Sequence, residues 1–539
     1  MATRTISVAG GNFNVVGTWD EGIVPVAGDA VVARAGGDSG DLTVNVASGG
    51  VGLASVDFTH YAHKLTMNNT LTIAGPLTLS PSAMTFAGTG DIICNTTATI
   101  TFNTKQLTGG LQLKGTSQAY TLGDDWSMVG ALTFGFTTAL TFIGAHNITC
   151  RAITCTTGAD FTINLSGNIT GSGAFTHAGS VTFTGAFAVQ CASMTLASNK
   201  TITIAHDCTC TGTMTTGVSP ILNGAFNWYV GGLNLGTGNV SGSSSLIMTG
   251  GTWITSGQSV NIPLTLAGDI IVSGTVKIDT TTLTYSPTHT ITTGGSILTV
   301  SGNCTLATSG VGWDGILLSG AQTLTLNSLL SANTLTLTNA DTVFTGAAGW
   351  TVGALAGGTL TGVHTITLKE GLTYTITGSM ALTQGATSTY IYTITSAHAV
   401  TKTILTLGYG ATQANARCNA TRVDSSLGQA IYAPGGTLTT CFNWTNIITS
   451  ANVLGSGGES LAIAALTKTN SGGVLGSVDC YLFRDNGNNT PTYLQYIQSN
   501  AGTGAYSFTV YPGSTYFVVG FKNGVPNVMD VTDRTLVAV

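Results

Sequence analysis

The residue types that carry chemistry are few in this chain and widely spaced. His206-Asp207-Cys208-Thr209-Cys210 sets an imidazole and two thiols at alternate positions, so one strand running through all three would present a soft-metal ligand set on a single face. Asp124-Asp125 is the one adjacent pair of carboxylates between residues 42 and 458, where glycoside hydrolysis would need two carboxyl groups facing each other across a cleft. That span holds 11 Asp and one Glu, and Asp57, Asp91, Asp160, Asp207, Asp269, Asp279, Asp314, Asp341, Glu370 and Asp424 stand alone. Thr201-Ile-Thr203, Thr334-Leu-Thr336-Leu-Thr338 and Thr373-Tyr-Thr375-Ile-Thr377 would offer hydroxyl rows to ice or a crystalline glycan. Near the C-terminus, Tyr493, Tyr496, Tyr511 and Phe521 are too many aromatics for all to point into a small core, and exposed Tyr suits sugar or protein surfaces.

Each of these groups also has a plain structural reading. Cys208 and Cys210 fall where Cys150 and Cys155 fall, at inward positions of short strands, and a buried free Cys behaves as a small apolar residue. Asp124-Asp125 precedes Trp126 and reads as a turn; Asp269 and Asp279 are half a repeat apart and should not meet. Single-Thr strands outnumber the doublets, and Thr is a favourable exposed strand residue without any ligand. Acid/base catalysis needs more converging groups than this, so the expectation is no catalytic residue, no metal and no cofactor.

The elements that would position these groups are three-residue strands of the form apolar-Thr-apolar. Leu132-Thr-Phe, Leu140-Thr-Phe and Ile148-Thr-Cys are followed about 21 residues later by strands opening at Ile153, Phe161 and Ile169, then by Phe175, Val181 and Phe187, then by Met194, Ile202 and Cys208. Three short strands per turn, stacked turn on turn, predict an all-β solenoid followed by other structure. Side chains alternate across a strand, so the apolar residues point inward and the Thr outward, and a charge placed at Phe142 or Ile204 would be stranded in the stack. Roughly 400 residues at about 21 per turn give about 19 turns and a rod near 90 Å long at about 4.8 Å per turn.

Composition agrees with a neutral, hydrogen-bonding surface. Only 7% of residues are charged, the net charge is −6, and 73 residues are Gly. No run of like charge supports nucleic acid as a partner, and no apolar run is long enough for membrane insertion. The N-terminus lacks a basic and apolar leader, and the ten Cys show no disulfide framework, which together suggest synthesis in a reducing cytoplasm.

In chain order, residues 1–40 read as an N-terminal cap with Trp19 covering the first turn. Residues 41–450 read as the solenoid, closed near Trp444, and 451–470 as a linker marked by Gly455-Ser-Gly-Gly458. Residues 471–539 change character: ten aromatics and longer alternating strands predict a small antiparallel Ig-like sandwich.

Two stretches resemble known families. Gly504-Ala-Tyr-Ser-Phe-Thr-Val-Tyr-Pro-Gly-Ser-Thr-Tyr-Phe-Val518 resembles the late strands of transthyretin-like or carboxypeptidase-regulatory-like Ig-type modules, which implies a fold and no activity. The segment from Gly17-Thr-Trp19 to Val32, the Thr/Gly-rich repeats and the ending Asp530-Val-Thr-Asp-Arg-Thr-Leu-Val-Ala-Val539 are similar in layout to tailed-phage structural proteins. The resemblance implies a non-enzymatic virion-surface protein made in the host cytoplasm. Its implied partners are other virion proteins and a host-surface glycan or protein, with a homotrimer as a possible assembly. It leaves two alternatives open, a capsid decoration or head-fibre protein docked on the major capsid protein, and a tailspike polysaccharide depolymerase.

Overall fold

In the computed structural model the chain is nearly all β, with 56% of its residues in strands, and forms a β-solenoid of about 17 turns, with a small antiparallel β-structure near the C-terminus. The described residues are 1–537 except 46–51, 81–82, 116–117, 137–140, 157, 159, 186–187, 256–257, 279–281, 286–288, 309–310, 383–389, 416–417, 434–435, 446–460, 467–476, 486–491, 511–514, 523–527 and 532–535. The 451–460 and 467–470 parts of the expected linker, Leu140, Phe187, Asp279 and Tyr511 therefore lie outside them; so do the side chains of Phe142, Phe161 and Tyr493, whose backbones are described. Two compact units make up the chain, residues 1–277 with 281–294 and residues 295–539 with 278–280.

The first unit shows why the triplets stack. Leu132, Ile153, Phe175, Met194, Met214 and Leu233 lie directly over one another in a parallel ladder, and each is buried. A second ladder carries Trp126, Ile148, Ile169, Val189, Cys208 and Trp228 in register. A third passes through Tyr120, Phe142, Ile163 and Phe183. Ile169 is followed by Val189, two residues beyond the expected Phe187, because alternation rather than a fixed count decides which side chain enters the stack. The outer residues of a triplet are buried and the Thr between is partly exposed, as in Ala152–Cys155 and Val181–Thr184; Thr72 is an exception, buried with Leu71 and Ile73.

Corners are made by residues that tolerate crowding. Gly185, at φ +95°, stands so close to the turn below that a Cβ would overlap Leu165 O. Corner hydroxyls clamp adjacent turns: Thr249 Oγ1 donates to Val230 O at 3.1 Å and Thr156 Oγ1 to Phe134 O at 3.3 Å. At the start of the unit, Trp19 is buried, bridges Ile6, and donates its indole N–H to Phe13 O at 3.0 Å. Arg4 binds the buried Asp29 at 2.9 Å and holds that carboxyl below its usual range.

In the second unit the turns are built from two strands. One ladder holds Gln322–Leu326, Thr342–Gly346, His364–Leu368 and Tyr392–Ser396; the other holds Gly312–Leu318, Leu330–Leu337, Trp350–Gly357 and Thr373–Ala381. Three short strands per turn describes most of the first unit, where two of the three already merge in Cys208–Thr216 and Asn227–Leu235; here the merged form is the rule. The burial of Leu330–Leu337 changes phase at Asn333-Thr334, where the strand rounds a corner without leaving the ladder. Corner positions Asp314, Asn333 and Gly353 permit this, Asn333 donating its amide to Asp314 Oδ1 at 2.9 Å. Turns also lengthen, since Thr342 lies under Ile366 and Ile366 under Ile394, so fewer turns fit than a 21-residue period implies. Trp444 is half-buried and pairs with Ile431.

The C-terminal β-structure is antiparallel and two-layered. Leu461–Leu466 pairs with Ala505–Val510; Thr492–Gln498, Asp479–Asp485, Thr515–Lys522 and Val528–Val531 form the larger sheet in that order. Val478, Cys480, Leu482, Tyr516 and Val518 of the larger sheet bury against Phe508 of the smaller.

Candidate functional site

Most of the described solenoid aspartates accept from backbone; Asp314 instead accepts from the Asn333 side-chain amide at a corner. Asp125 Oδ1 accepts the N–H of Asn147 one turn on at 2.8 Å; Asn147 Oδ1 accepts from Asn168 N at 2.9 Å, and Asn168 Oδ1 from Ala188 N at 3.0 Å. Each stands just before the first inward residue of a strand, where the chain has turned a corner and its N–H lacks a ladder partner. The same cap recurs from Asp91 to Gly110, Asp160 to Ser180, Asp207 to Asn227, Asp269 to Thr290 and Asp341 to Thr365. The bond from Asn147 holds the Asp125 carboxyl below its usual range. Asp124 faces the other way, accepting from Phe102 N at 2.7 Å on the preceding turn, so the adjacent pair diverges. Among the described residues, no group of three or more His, Cys, Asp or Glu could hold a metal ion.

The His206–Cys210 segment divides at a corner. Its strand begins at Cys208, so alternation does not extend back to the histidine. His206 is exposed and stacks on Phe226 at 5.0 Å with 17° between the rings, while Cys208 and Cys210 are buried. Desolvation pushes the Cys208 thiol far up, and those of Cys94 and Cys418 up to about 12, so they remain protonated packing groups. The Thr334 and Thr336 doublet is bordered by Gly315 and Leu317 on one side and Ala354 and Ala356 on the other, so it is not repeated from turn to turn.

His177, which sequence periodicity does not single out, is an inward residue stacked over Cys155. Its Nδ1 lies 2.7 Å from Gly179 O, and its Nε2 accepts the Ala197 N–H at 3.1 Å. The two contacts fix a neutral ring with the proton on Nδ1, and burial lowers its basicity, with nearby Lys200 adding to the effect.

The C-terminal sheet presents a different surface. Cys480, Leu482, Tyr516 and Val518 point into the core, so Asp479, Tyr481 and Phe483, with Tyr496, Gln498, Phe517, Val519 and Phe521 beside them in register, share the opposite face. Tyr496 is 46% exposed, packs on Tyr481 at 5.2 Å, and donates its hydroxyl to Asp479 Oδ1 at 2.8 Å. Gln498 Nε2 donates to the same oxygen at 3.1 Å. The bond to Asp479 raises the Tyr496 phenol above its ordinary value. Phe483 and Phe517 stack at 5.3 Å, and Phe521 lies half-buried across from Asp479. The face thus joins Tyr496 and Phe521; Tyr493 is in the same edge strand, opposite Phe483. Asp479, Tyr481 and Gln498 were not apparent from composition, because only the alternation about Cys480 and Leu482 assigns them to the outer face.

Among the described residues, no helix is long and apolar enough to cross a membrane. No family model, curated protein or solved structure matches this chain.

Proposed function

We propose that this chain is a non-enzymatic tailed-phage virion protein in which the β-solenoid acts as a spacer and the C-terminal Ig-like sandwich makes contact with a host-surface glycan or protein. The observation that carries the reading is the contrast in polar groups. Each described aspartate between residues 42 and 458 accepts a hydrogen bond from the solenoid's own backbone or side chains, whereas Asp479, Tyr496 and Gln498 form a side-chain cluster on an open aromatic face. A spacer needs regular turns and no converging acids; a contact module needs exposed aromatics. Partners would be other virion proteins, with a homotrimer as one possible assembly.

Gold labelling of the C-terminus on intact particles tests this. A tail-tip label, with adsorption to host cells blocked by antibody against the sandwich, is the expected result. A label distributed over the capsid face would replace the reading with a decoration role, and release of reducing sugar from host capsule or lipopolysaccharide would replace it with an enzymatic one.

A further inference from the structure

Resting on the reading of the sandwich as the contact module, we infer that the outward face of its larger sheet is a binding site for neutral pyranose glycans, seated on Tyr496 and Tyr481 and oriented by Asp479 and Gln498.

Sugar recognition in water needs two things at once. An aromatic face must cover the apolar C–H side of the ring, and fixed polar groups must meet its hydroxyls. Tyr496 supplies the first at the edge of the sheet, 46% exposed and supported by Tyr481 at 5.2 Å. Asp479 and Gln498 supply the second on the neighbouring row, in register with one another. Asp479 Oδ1 is held by both the Tyr496 hydroxyl and the Gln498 amide, which fixes the carboxylate before any ligand arrives. Its Oδ2 receives no hydrogen bond from a described residue and is placed to accept from a sugar hydroxyl. Pre-fixed acceptors of this kind reduce the ordering cost of binding.

Charge selects among glycans. Asp479 is the one charged group among the described side chains of this face, and the chain carries a net charge of −6. A uronic or sialic acid would be repelled by that carboxylate, while a neutral hexose would not. Three adjacent strands carry the face, a width of about 10 Å at the usual strand spacing, which suits a short saccharide lying across the strands from Gln498 and Tyr496 toward Phe521.

Affinity electrophoresis of the full chain through gels containing dextran, mannan or galactan, and separately alginate, tests the site. Retardation by at least one neutral polymer is expected. Tyr496→Ala should weaken it about tenfold; Tyr496→Phe, which keeps the ring and loses the hold on Asp479, should weaken it about threefold. Asp479→Asn should weaken it as well, and unchanged protease resistance would show that these exposed substitutions leave the fold intact. Retardation by no neutral polymer, by alginate alone, or unchanged by Tyr496→Ala overturns the inference. Host adsorption measured in parallel separates the two levels. If antibody against the sandwich blocks adsorption but Tyr496→Ala and Asp479→Asn do not, the contact module stands and the sugar site falls. If the antibody leaves adsorption intact, the contact-module reading falls with it.

Discussion

Asp125 in the solenoid and Asp479 in the sandwich are both carboxylates at a protein surface, yet they are held in opposite ways. Asp125 accepts a backbone N–H from the next turn and belongs to a run continued by Asn147 and Asn168. Asp479 accepts from two side chains and, among the described residues, from no backbone donor. A side chain that completes a neighbouring turn's hydrogen bonding is part of the fold, and exchanging its partner costs stability. A carboxylate held only by other side chains can take a ligand with little loss of structure. Except at Asp314, held by the Asn333 amide of the next turn at a corner, this difference separates scaffold from candidate site more sharply than residue type does, since both regions contain Asp, Asn, Tyr and Thr.

The strongest way to break the comparison is to burden the stack itself. Ile204 is 3% exposed, and its N–H donates to Asn223 O one turn on at 2.9 Å. Ile204→Asp should destabilise the first unit by about 3–5 kcal/mol, the cost of an uncompensated buried charge. Guanidinium titration and limited proteolysis should show local opening that starts in the turns around residue 204. Tyr496→Asp, on the open face of the sandwich, should shift neither measurement beyond about 0.5 kcal/mol. Equal losses at the two positions would mean that the sandwich face is packed as tightly as the solenoid interior.

The same contrast explains what could be read from the sequence. The ladder Leu132, Ile153, Phe175, Met194 was legible because its inward positions admit only apolar side chains, and the Thr between them marks the phase. Val189 in place of Phe187 was not, since a corner of variable length resets the count while leaving the alternation intact. The merged strands at Leu330–Leu337 and Trp350–Gly357 were hidden for a related reason: a strand that bends at Asn333 or Gly353 has the same composition as two strands joined by a tight turn. The role of Asp125, Asn147 and Asn168 as caps became visible only when turns were stacked, because each cap and its N–H lie about 20 residues apart. In the sandwich, an excess of aromatics was evident, and Tyr496 does lie exposed. Its partners Asp479 and Gln498 are brought to it by antiparallel pairing, which local pattern does not encode.

Protonation offers a gentler test of the same contrast. All eight His precede residue 399, so the sandwich holds none, while His177 lies inside the solenoid stack. Its neutral ring accepts the Ala197 N–H, and burial sets its folded pKa below the unfolded value. The unfolded chain therefore takes up the proton first as pH falls, and the stability contributed by neutral His177 is present above the unfolded value near 6.5 and lost below it. Melting followed from about pH 8 to about pH 5 should show a falling midpoint for the first unit, and His177→Gln should flatten that slope. A slope unchanged by the substitution would place the acid sensitivity elsewhere.

The smallest effect discriminates most finely, because it compares one cap with one ligand-facing amide. Asn168→Ala removes the acceptor for Ala188 N and the last capping side chain of the run that starts at Asp125 and continues through Asn147. The bond is at the surface, where water replaces part of it, so the loss should be about 0.5–1.5 kcal/mol. Hydrogen exchange should speed at Ala188 and in the adjoining strand Val189–Cys191. Gln498→Ala removes a hydrogen bond of similar length, from Nε2 to Asp479, but leaves no backbone group without a partner. It should leave exchange in Asp479–Asp485 unchanged. If Gln498→Ala also speeds exchange along its strand, then Asp479, Tyr496 and Gln498 serve the fold as Asp125 and Asn168 do, and the distinction between spacer and contact face is lost at the residues that define it.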